Sequence, residues 1–256
     1  MNQTTHSTAP GSSPIGVHLS NAHVRWGAEV LFDGLNITLA TGQWTCLLGP
    51  SGVGKSMLLR LILGLSAAKP GISGVVECSD GAALPGRVSY MAQRDLLMPW
   101  LSVIQNVCIG SRFRGEQQNF EAAHAHLKAV GLSDSVDAMP ATLSGGMRQR
   151  AALARTLMED HPVVLMDEPF SALDAITRVR LQDMAAEALK GRTVLLVTHD
   201  PLEALRLGHS IHVMSGRPAR VDEPLVLSSD VPRHVDDGEI LALQGELLHR
   251  LAEAVE

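Results

Sequence analysis

The chain has 256 residues, of which 45% are hydrophobic and 19% are charged, a composition typical of a globular protein with a full hydrophobic core. Its net charge of −6 offers no general basic surface to nucleic-acid phosphates, so we expect no nucleic-acid partner. No apolar run approaches the roughly 20 residues of a membrane-spanning helix, because Arg60 interrupts the richest segment. We therefore expect that the chain does not cross a membrane by itself.

The first segment, residues 1–16, is rich in Ser, Thr, Gly and Pro and lacks the basic start and apolar stretch of a secretion signal. These features predict a disordered tail and a chain that is not exported. Cys46, Cys78 and Cys108 show no metal-ligand spacing, which favours free thiols in a reducing cytosol.

Two kinds of strand pattern follow the tail. Around Leu35, Ile37 and Leu39, apolar and polar residues alternate, which indicates a sheet with one solvent-exposed face. Later segments are short continuous apolar runs, typical of parallel strands covered on both faces. These segments are Thr45–Gly49, Val163–Asp167, Thr193–Thr198 and Ile211–Met214. Because the first three lead into polar or glycine-rich residues, reactive side chains should meet at the carboxyl ends of the strands.

The segment Gly49–Ser56, GPSGVGKS, fits the pattern G-x-x-x-x-G-K-[ST] of a phosphate-binding loop. Its glycines let backbone amides converge on phosphate oxygens, and we expect Lys55 to reach the β and γ phosphates and Ser56 to ligate Mg²⁺. A flexible turn of incidental composition is the alternative. Met57 lacks a hydroxyl for the α-phosphate, which predicts a loss of roughly 0.5–1.5 kcal/mol of nucleotide affinity. Alternatively, Met57 simply packs beneath the loop.

Helical spacing dominates residues 94–161. Phe120, Ala123, Leu127 and Val130 recur at three and four residues, and Gly131 suits the end of that helix. This pattern predicts a helical subdomain inserted into an α/β core that is formed by residues 17–93 and 162–225.

Residues 226–256 form a short C-terminal extension. Within it, from residue 236 onward, Ile240, Leu243, Leu247 and Leu251 predict one more amphipathic helix. The sequence leaves open whether this helix contacts a regulator, a lipid surface or the body of the domain.

The segment Leu143–Arg150, LSGGMRQR, offers a second anion site. Ser144, Gly145 and Gly146 open an apparent helix, so a hydroxyl, free amides and the helix dipole face an anion. One nucleotide rarely needs two such sites from one chain. We therefore expect a head-to-tail homodimer in which each nucleotide lies between the phosphate loop of one copy and this segment of the other. An ordinary capped helix is the alternative.

Acidic and imidazole side chains follow two of the predicted buried strands. Asp167 ends one strand and can hold the water shell of Mg²⁺, while Glu168 follows it and can orient or deprotonate an attacking water. His199 follows the next strand, where it could contact the γ-phosphate and hold Glu168 and the water in line. Helix capping by the acidic pair and a purely structural histidine are the alternatives.

Together these segments resemble the motifs of the ATP-binding cassette (ABC) family, from about Val17 to Met214. GPSGVGKS is similar to Walker A, LSGGMRQR to the signature, VVLMDE to Walker B, SALD (Ser171–Asp174) to the D-loop and VTHD to the H-loop. The resemblance implies an α/β P-loop NTPase cassette with a RecA-like parallel-sheet core, an N-terminal antiparallel β subdomain and an inserted helical subdomain. It implies a single ATPase domain over residues 17–256 that uses ATP and Mg²⁺.

The resemblance also implies two further site residues, Gln93 of the Q-loop, which reaches Mg²⁺ and the water, and Trp26, on which adenine stacks. The residues expected at ATP are Trp26, Gly49, Pro50, Ser51, Gly52, Val53, Gly54, Lys55, Ser56, Met57, Ser144, Gly145 and Gly146. Those expected in catalysis are Lys55, Gln93, Glu168 and His199, and those expected at Mg²⁺ are Ser56, Gln93 and Asp167. Met57 departs from the threonine usual in this family.

In this family, the segment after Gln93 meets the coupling helix of a membrane permease. The apolar residues expected to form that docking surface are Leu96, Leu97, Met98, Pro99 and Trp100. The alternative is that Leu97 and Trp100 fill the core of the helical subdomain. We expect Val103, Ile104 and Val107 to be core residues, because they recur at helical spacing.

The segment QRDLLMPWLSVIQNV and the short C-terminus resemble those of the ATP-binding subunits of bacterial importers of the nitrate, sulfonate, taurine and pyrimidine-precursor group. Within that group, MAQRDLLMPW and TLMEDHPVVLMDEPFSALDAITR look most similar to cassettes for hydroxymethylpyrimidine, a thiamine precursor. The resemblance implies a permease, a periplasmic solute-binding protein and a location on the cytoplasmic face of the membrane. The alternatives are a soluble ABC ATPase of iron-sulfur assembly or DNA repair and a small-molecule kinase, which would have no use for the second anion site.

Overall fold

Two β-sheets organise the part of the chain that the structure, a computed structural model, describes, namely residues 13–65 and 70–254. The strands are β1 Val17–Trp26, β2 Glu29–Leu39, β3 Trp44–Leu48, β4 Ile72–Cys78, β5 Val88–Met91, β6 Val163–Asp167, β7 Thr193–Val197, β8 Ser210–Ser215, β9 Arg220–Val221 and β10 Leu225–Val226. The helices are α1 Lys55–Ile62, α2 Val103–Val107, α3 Ile109–Phe113, α4 Phe120–Ala129, α5 Gly145–Met158, α6 Ala175–Ala188, α7 Pro201–Leu207 and α8 Gly238–Glu253. Two short 3-10 helices lie at Ser133–Ser135 and Pro140–Thr142.

The smaller sheet is antiparallel, with the strand order β2-β1-β4. Buried and more exposed residues alternate along β1 and β2, so one face of the sheet packs on a core and the other faces solvent. This sheet is the N-terminal antiparallel element that the resemblance implied. The strand around Leu35 is longer than its alternation suggested, because β2 begins at Glu29.

The larger sheet has the order β10-β8-β3-β7-β6-β5, with β9 paired to β8. From β8 to β5 all neighbouring strands are parallel. Every residue of β3, β6 and β7 is buried, as their continuous apolar runs predicted. Alternate residues enter two different cores, since Leu195 and Val197 pack into one and Val194 and Leu196 into the other. The segments that follow β3, β6 and β7 therefore meet at one edge of the sheet.

The inserted region contains α2 to α5, and α2, α4 and α5 pack against one another. Val103, Ile104 and Val107 are buried, which confirms that they are core residues. They belong to the same hydrophobic cluster as one face of the parallel sheet. Gly131 lies just beyond α4 with a φ of 69°. The helical region thus shares a core with the sheet, and this shared packing sets the position of α5.

Most of the expected tail, residues 1–12, lies outside the described residues. Ile15, however, is buried in the core beneath the antiparallel sheet, and its carbonyl accepts a hydrogen bond from Thr193 Oγ1 at 2.7 Å. The expectation that the disordered tail extends to residue 16 is therefore wrong for Ile15, which is packed. Because Ile15 adds apolar burial and a buried hydrogen bond, the packed chain begins before Val17.

The C-terminal extension packs against the body of the domain, the third of the possibilities that the sequence left open. On α8, Ile240 and Leu247 are buried in the hydrophobic cluster that the helical region shares with the parallel sheet, which we call the main hydrophobic cluster. Arg233, which precedes that helix, is also buried and donates to the carbonyls of Leu205 at 3.0 Å and Gly208 at 2.7 Å. These carbonyls lie at the end of α7, so the extension is joined to the core by both apolar and polar contacts.

The three cysteines, Cys46, Cys78 and Cys108, are buried free thiols, as expected. Within the described ranges, no helix combines the length and the apolar character needed to span a bilayer.

Candidate active site

The phosphate-binding loop connects β3 to α1 at the edge where the parallel strands end. Its glycines, Gly49, Gly52 and Gly54, have positive φ angles of 144°, 80° and 119°. At Gly49 a Cβ atom would lie 2.3 Å from the carbonyl oxygen of Met214, so no larger residue fits without a shift of the backbone. The loop leads directly into the N-terminal end of α1, and the positive end of a helix dipole suits an anion.

Lys55 is held by the loop that it terminates. Its Nζ donates to the carbonyl oxygens of Gly49 at 2.6 Å and Pro50 at 2.9 Å. Burial lowers the pKa of Lys55, and the nearby carboxylates of Glu168 and Asp167 oppose that shift. The ammonium group is thus fixed beside the loop and next to two acidic side chains.

A cavity of about 320 Å³ opens over the loop. Its lining brings together residues that are far apart in sequence: Trp26, Glu29, Leu31, Ser51, Gly52, Gly54, Lys55, Ser56, Met57, Gln93, Asp167 and Glu168. Pro50 and Val53, also expected at the nucleotide, are placed differently. Pro50 contributes its carbonyl to Lys55, and the Val53 side chain is buried in the core beneath the antiparallel sheet.

Ser56 and Asp167, which both line this cavity, form an oxygen-rich pair. Ser56 Oγ donates to Asp167 Oδ2 at 2.8 Å. Burial raises the pKa of the Asp167 carboxyl, while the hydrogen bond from Ser56 opposes the shift. A hydroxyl and a carboxylate are the hard oxygen ligands that Mg²⁺ prefers, and Mg²⁺ commonly takes its remaining ligands from water and phosphate. The pair therefore fits a magnesium ion that is shared with a nucleotide.

Glu168 follows β6 with a φ of 51°, in the left-handed region that non-glycine residues seldom adopt. Its carboxylate oxygen Oε2 accepts a hydrogen bond from Gln93 Nε2 at 3.3 Å, and His199 Nδ1 lies 3.3 Å from the same oxygen. Gln93 was expected at Mg²⁺ and the water, and its amide nitrogen contacts the carboxylate that was expected to orient that water. The structure thus brings three expected catalytic side chains into direct contact.

Trp26 and Met57 also line the cavity. Trp26 is the last residue of β1 and is 53% exposed, so its ring is available to a planar ligand. Met57 lines the cavity but is also buried in the core cluster beneath the loop. The structure therefore supports the packing role that the sequence left open for Met57.

The signature segment starts α5 on a different surface. Ser144 is the N-cap of this helix, and its Oγ accepts a hydrogen bond from Met147 N at 3.2 Å. Ser144 and Gly145 are exposed and Gly146 is half-buried, and none of the three lines the cavity of the phosphate loop. Within one chain, the two expected anion sites are therefore separate.

The expected docking residues divide into two groups. Leu97 is buried in the main hydrophobic cluster, so its inclusion in the docking surface is wrong, because its side chain already packs against the chain's own core. Trp100 is 70% exposed, and Leu96 and Pro99 are also exposed. Met98 is half-buried. The alternative that Trp100 fills the core is excluded by its exposure.

Sequence reasoning missed several residues of this site. Glu29 and Leu31 line the cavity from the start of β2, where an extension of the alternating pattern around Leu35 could have indicated them. Gln149 belongs to the signature segment and contacts the backbone of Glu168, but no local signal shows that its side chain is buried.

The fold and the site define a nucleotide-binding protein of the phosphate-loop class. A family model described as ABC transporter matches residues 32–171. The chain is 38% identical over 240 residues to an uncharacterized ABC transporter ATP-binding protein of Haemophilus influenzae, covering 92% of this chain and 98% of that one. It is 39% identical over 247 residues to the aliphatic sulfonates import ATP-binding protein SsuB 1 of Rhodococcus jostii, covering 96% and 97%.

Among solved structures, the chain is similar to the ATP-binding cassette MJ0796, described as a dimer in a post-hydrolysis state bound to ADP and Pi. The TM-score is 0.72 with 27% identity, over 84% of this chain and 100% of that one. The chain therefore belongs to the ABC transporter family, as an ATP-binding subunit with the ABC cassette fold. It is an ATPase that hydrolyses ATP to ADP and phosphate.

Proposed function

We propose that this chain is the Mg²⁺-dependent ATPase subunit of a bacterial importer and that it works as a head-to-tail homodimer. The observation that carries the proposal is the Glu168 carboxylate. It contacts both Gln93 and His199 and shares a cavity with the phosphate loop and the Ser56–Asp167 pair. A carboxylate held in this way beside a phosphate site suits the activation of a water molecule.

In the proposed mechanism, catalysis depends on positioning and on charge neutralisation. Lys55 and the loop amides hold the β and γ phosphates, and Trp26 stacks on adenine. Gln93 and His199 hold Oε2 of Glu168, which leaves Oε1 to accept a proton from the attacking water. Mg²⁺, held by Ser56 and Asp167, would neutralise charge on the phosphate oxygens.

The partner copy completes the proposed site. Ser144 and Gly145 are exposed, Gly146 is half-buried, and none of the three lines the cavity over their own chain's phosphate loop, so they are free to contact a nucleotide that is bound to the other copy. The dimeric state named for MJ0796 supports this assembly. Binding of ATP would close the dimer, and hydrolysis would open it again.

The proposed permease docks at Leu96, Met98, Pro99 and Trp100. Trp100 is a large apolar side chain that is mostly exposed, and it follows Gln93 closely in the chain. Exposed aromatic residues of this kind often anchor protein interfaces. Closure of the dimer would pull on the permease through this segment. In this proposal the subunit lies on the cytoplasmic face of the membrane and has no nucleic-acid partner.

The proposed cargo belongs to the nitrate, sulfonate, taurine and pyrimidine-precursor group. The name of the Rhodococcus jostii relative supports an aliphatic sulfonate, whereas the wording of the segment around Gln93 supports hydroxymethylpyrimidine. The cargo would be delivered by a periplasmic solute-binding protein. Binding of each compound to that protein, measured by calorimetry, distinguishes the two classes.

Replacement of Glu168 by Gln tests the catalytic proposal. The variant keeps the shape of the side chain but cannot accept a proton, so we expect ATP turnover to fall by about 100-fold or more. ATP binding should persist, and an ATP-bound dimer should accumulate in the presence of Mg²⁺, as measured by size-exclusion chromatography. Rapid steady-state turnover by this variant would contradict the role given to Glu168.

A further inference from the structure

Gln149 joins the signature helix to the catalytic strand end. The residue lies on α5 and is only 7% exposed. Its Nε2 donates to the carbonyl oxygen of Glu168 at 2.9 Å, and its Oε1 accepts from the backbone N–H of Ala172 at 2.8 Å. Because the amide nitrogen faces a carbonyl and the amide oxygen faces an N–H, both bonds define the orientation of the side chain.

The backbone that Gln149 contacts is strained. Glu168 has a φ of 51°, and a non-glycine residue persists in this region only where surrounding contacts hold it. Its N–H donates to Val197 O at 2.8 Å, and its carbonyl accepts from Gln149 and from Ser171, through Oγ at 3.0 Å and the backbone N–H at 3.4 Å. Of these three partners, Gln149 alone belongs to the signature helix.

The same helix face touches the D-loop one turn earlier. A Cβ atom on Gly146 would lie 3.2 Å from the carbonyl oxygen of Ala172. Gly146 and Gln149 are three residues apart, so they share one face of α5. The first turn of the helix therefore lies against the D-loop, and Gln149, one turn later, contacts both the D-loop and the carbonyl of Glu168.

We propose that Gln149 is a positioning residue for ATP hydrolysis. It holds the Glu168 backbone in the conformation that aims the carboxylate at the attacking water, and it links that geometry to the contact between the signature segment and the partner's nucleotide. This inference rests on the proposed function, in which Glu168 activates the water. Gln149 itself touches neither the water nor the nucleotide. The competing explanation is a buried amide that only satisfies the N–H of Ala172.

Three variants separate these explanations. Gln149→Met keeps a long side chain but removes both polar atoms. Gln149→Glu keeps an acceptor for Ala172 and, at a pH where its carboxylate is ionised, removes the donor to Glu168. Thr156→Val is the matched control, because Thr156 is buried on the same helix and donates only within it, to Ala152 O at 2.9 Å. Each variant is assayed for melting temperature, for ATPase rate against ATP concentration and for the ATP-bound dimer with Mg²⁺.

A positioning role predicts a selective loss of the chemical step. For both Gln149 variants, kcat should fall by about 10–100-fold while the KM for ATP stays within about twofold of the wild type. The ATP-bound dimer should accumulate, since binding continues while hydrolysis slows. A purely structural role would instead reduce the dimer together with the melting temperature. Thr156→Val should retain the kcat of the wild type.

The proposal is overturned if the kcat of Gln149→Met lies within about threefold of the Thr156→Val control. It is also overturned if the dimer is lost in parallel with the rate. If Gln149→Met does not fold, Gln149→Glu supplies the same measurements, and failure of both to fold assigns Gln149 a structural role. Glu168→Gln is measured beside them. Normal turnover by that variant refutes the proposed function, whereas slow turnover beside a normal Gln149→Met refutes only the role of Gln149.

Discussion

Replacement of Ser144 by Ala separates a folding role from a catalytic role of one hydroxyl. Ser144 Oγ caps α5 by accepting a hydrogen bond from Met147 N at 3.2 Å. Loss of a Ser N-cap typically costs about 1 kcal/mol of the free energy of unfolding. In a chain of this size, that change lowers the melting temperature by about 2–4 °C. The variant should therefore remain folded at 25 °C.

The catalytic loss should be much larger. In the proposed dimer, the same hydroxyl donates to the γ-phosphate of the ATP that is bound to the partner. Removal of one such donor lowers kcat by about 10²–10³-fold. Asn119→Ala is the matched control, because Asn119 Oδ1 caps α4 by accepting from Ala122 N at 3.0 Å and lies outside the signature segment. This control should lose similar stability while it keeps its turnover.

Subunit mixing tests the head-to-tail geometry directly. Ser144→Ala and Lys55→Ala are each expected to be nearly inactive alone. In a mixed dimer one site carries both changes and the other carries neither, so random exchange restores about a quarter of the intact sites. Phosphate release is the assay. Turnover by Ser144→Ala equal to that of Asn119→Ala at every protein dilution would refute the reasoning.

Three further predictions follow from the site and the extension. Trp26→Ala should raise the KM for ATP by about tenfold with little change in kcat, because it removes a stacking surface. Phe113→Ala, which removes another exposed aromatic, is the control, and the same KM for the two variants would contradict this prediction. Met57→Thr should increase ATP affinity by roughly 0.5–1.5 kcal/mol and lower the melting temperature, measured by calorimetry; a lower melting temperature without tighter binding would leave Met57 a packing role alone. Hydrogen bonds, of which the one from the Ser229 side chain has the largest effect, lower the pKa of Glu239 from 4.5 to about 2. The ionised Glu239 carboxylate therefore stabilises the fold above pH 4.5, and this stabilisation is lost as the pH falls towards 2. Urea unfolding of Glu239→Gln should show a loss of stability at pH 7 that shrinks below pH 4.5; a gap that does not change with pH would exclude this linkage.

The buried strands were the most predictable part of the fold. Val163–Asp167 was predicted from a continuous apolar run and is β6 in the structure with the same bounds. The principle that parallel strands end at one edge also anticipated that Lys55, Asp167 and Glu168 lie together, as the lining of one cavity shows. These features depend on local patterns and on topology, both of which a single sequence can reveal.

Features that depend on contacts between distant segments were harder to predict. Leu97 and Trp100 are both apolar and close in sequence, yet one is buried and the other is mostly exposed. A short irregular segment gives no periodicity from which to choose between them. The buried position of Ile15 depends on the strand that starts at Thr193, and the position of Gln149 depends on the loop at Ala172. Neither partner can be identified from the local sequence.

The hydrogen bonds from Arg233 to the end of α7 limit where this protein can be truncated or tagged. Removal of the last 31 residues, from Val226 onward, would uncover the apolar surface beneath Ile240 and Leu247 and deprive the carbonyls of Leu205 and Gly208 of their donor. The helix that bears Leu205 begins two residues after His199, so we expect the truncation to lower ATPase activity as well as stability. An affinity tag or a fluorophore is better attached beyond residue 254, where the described helix has ended.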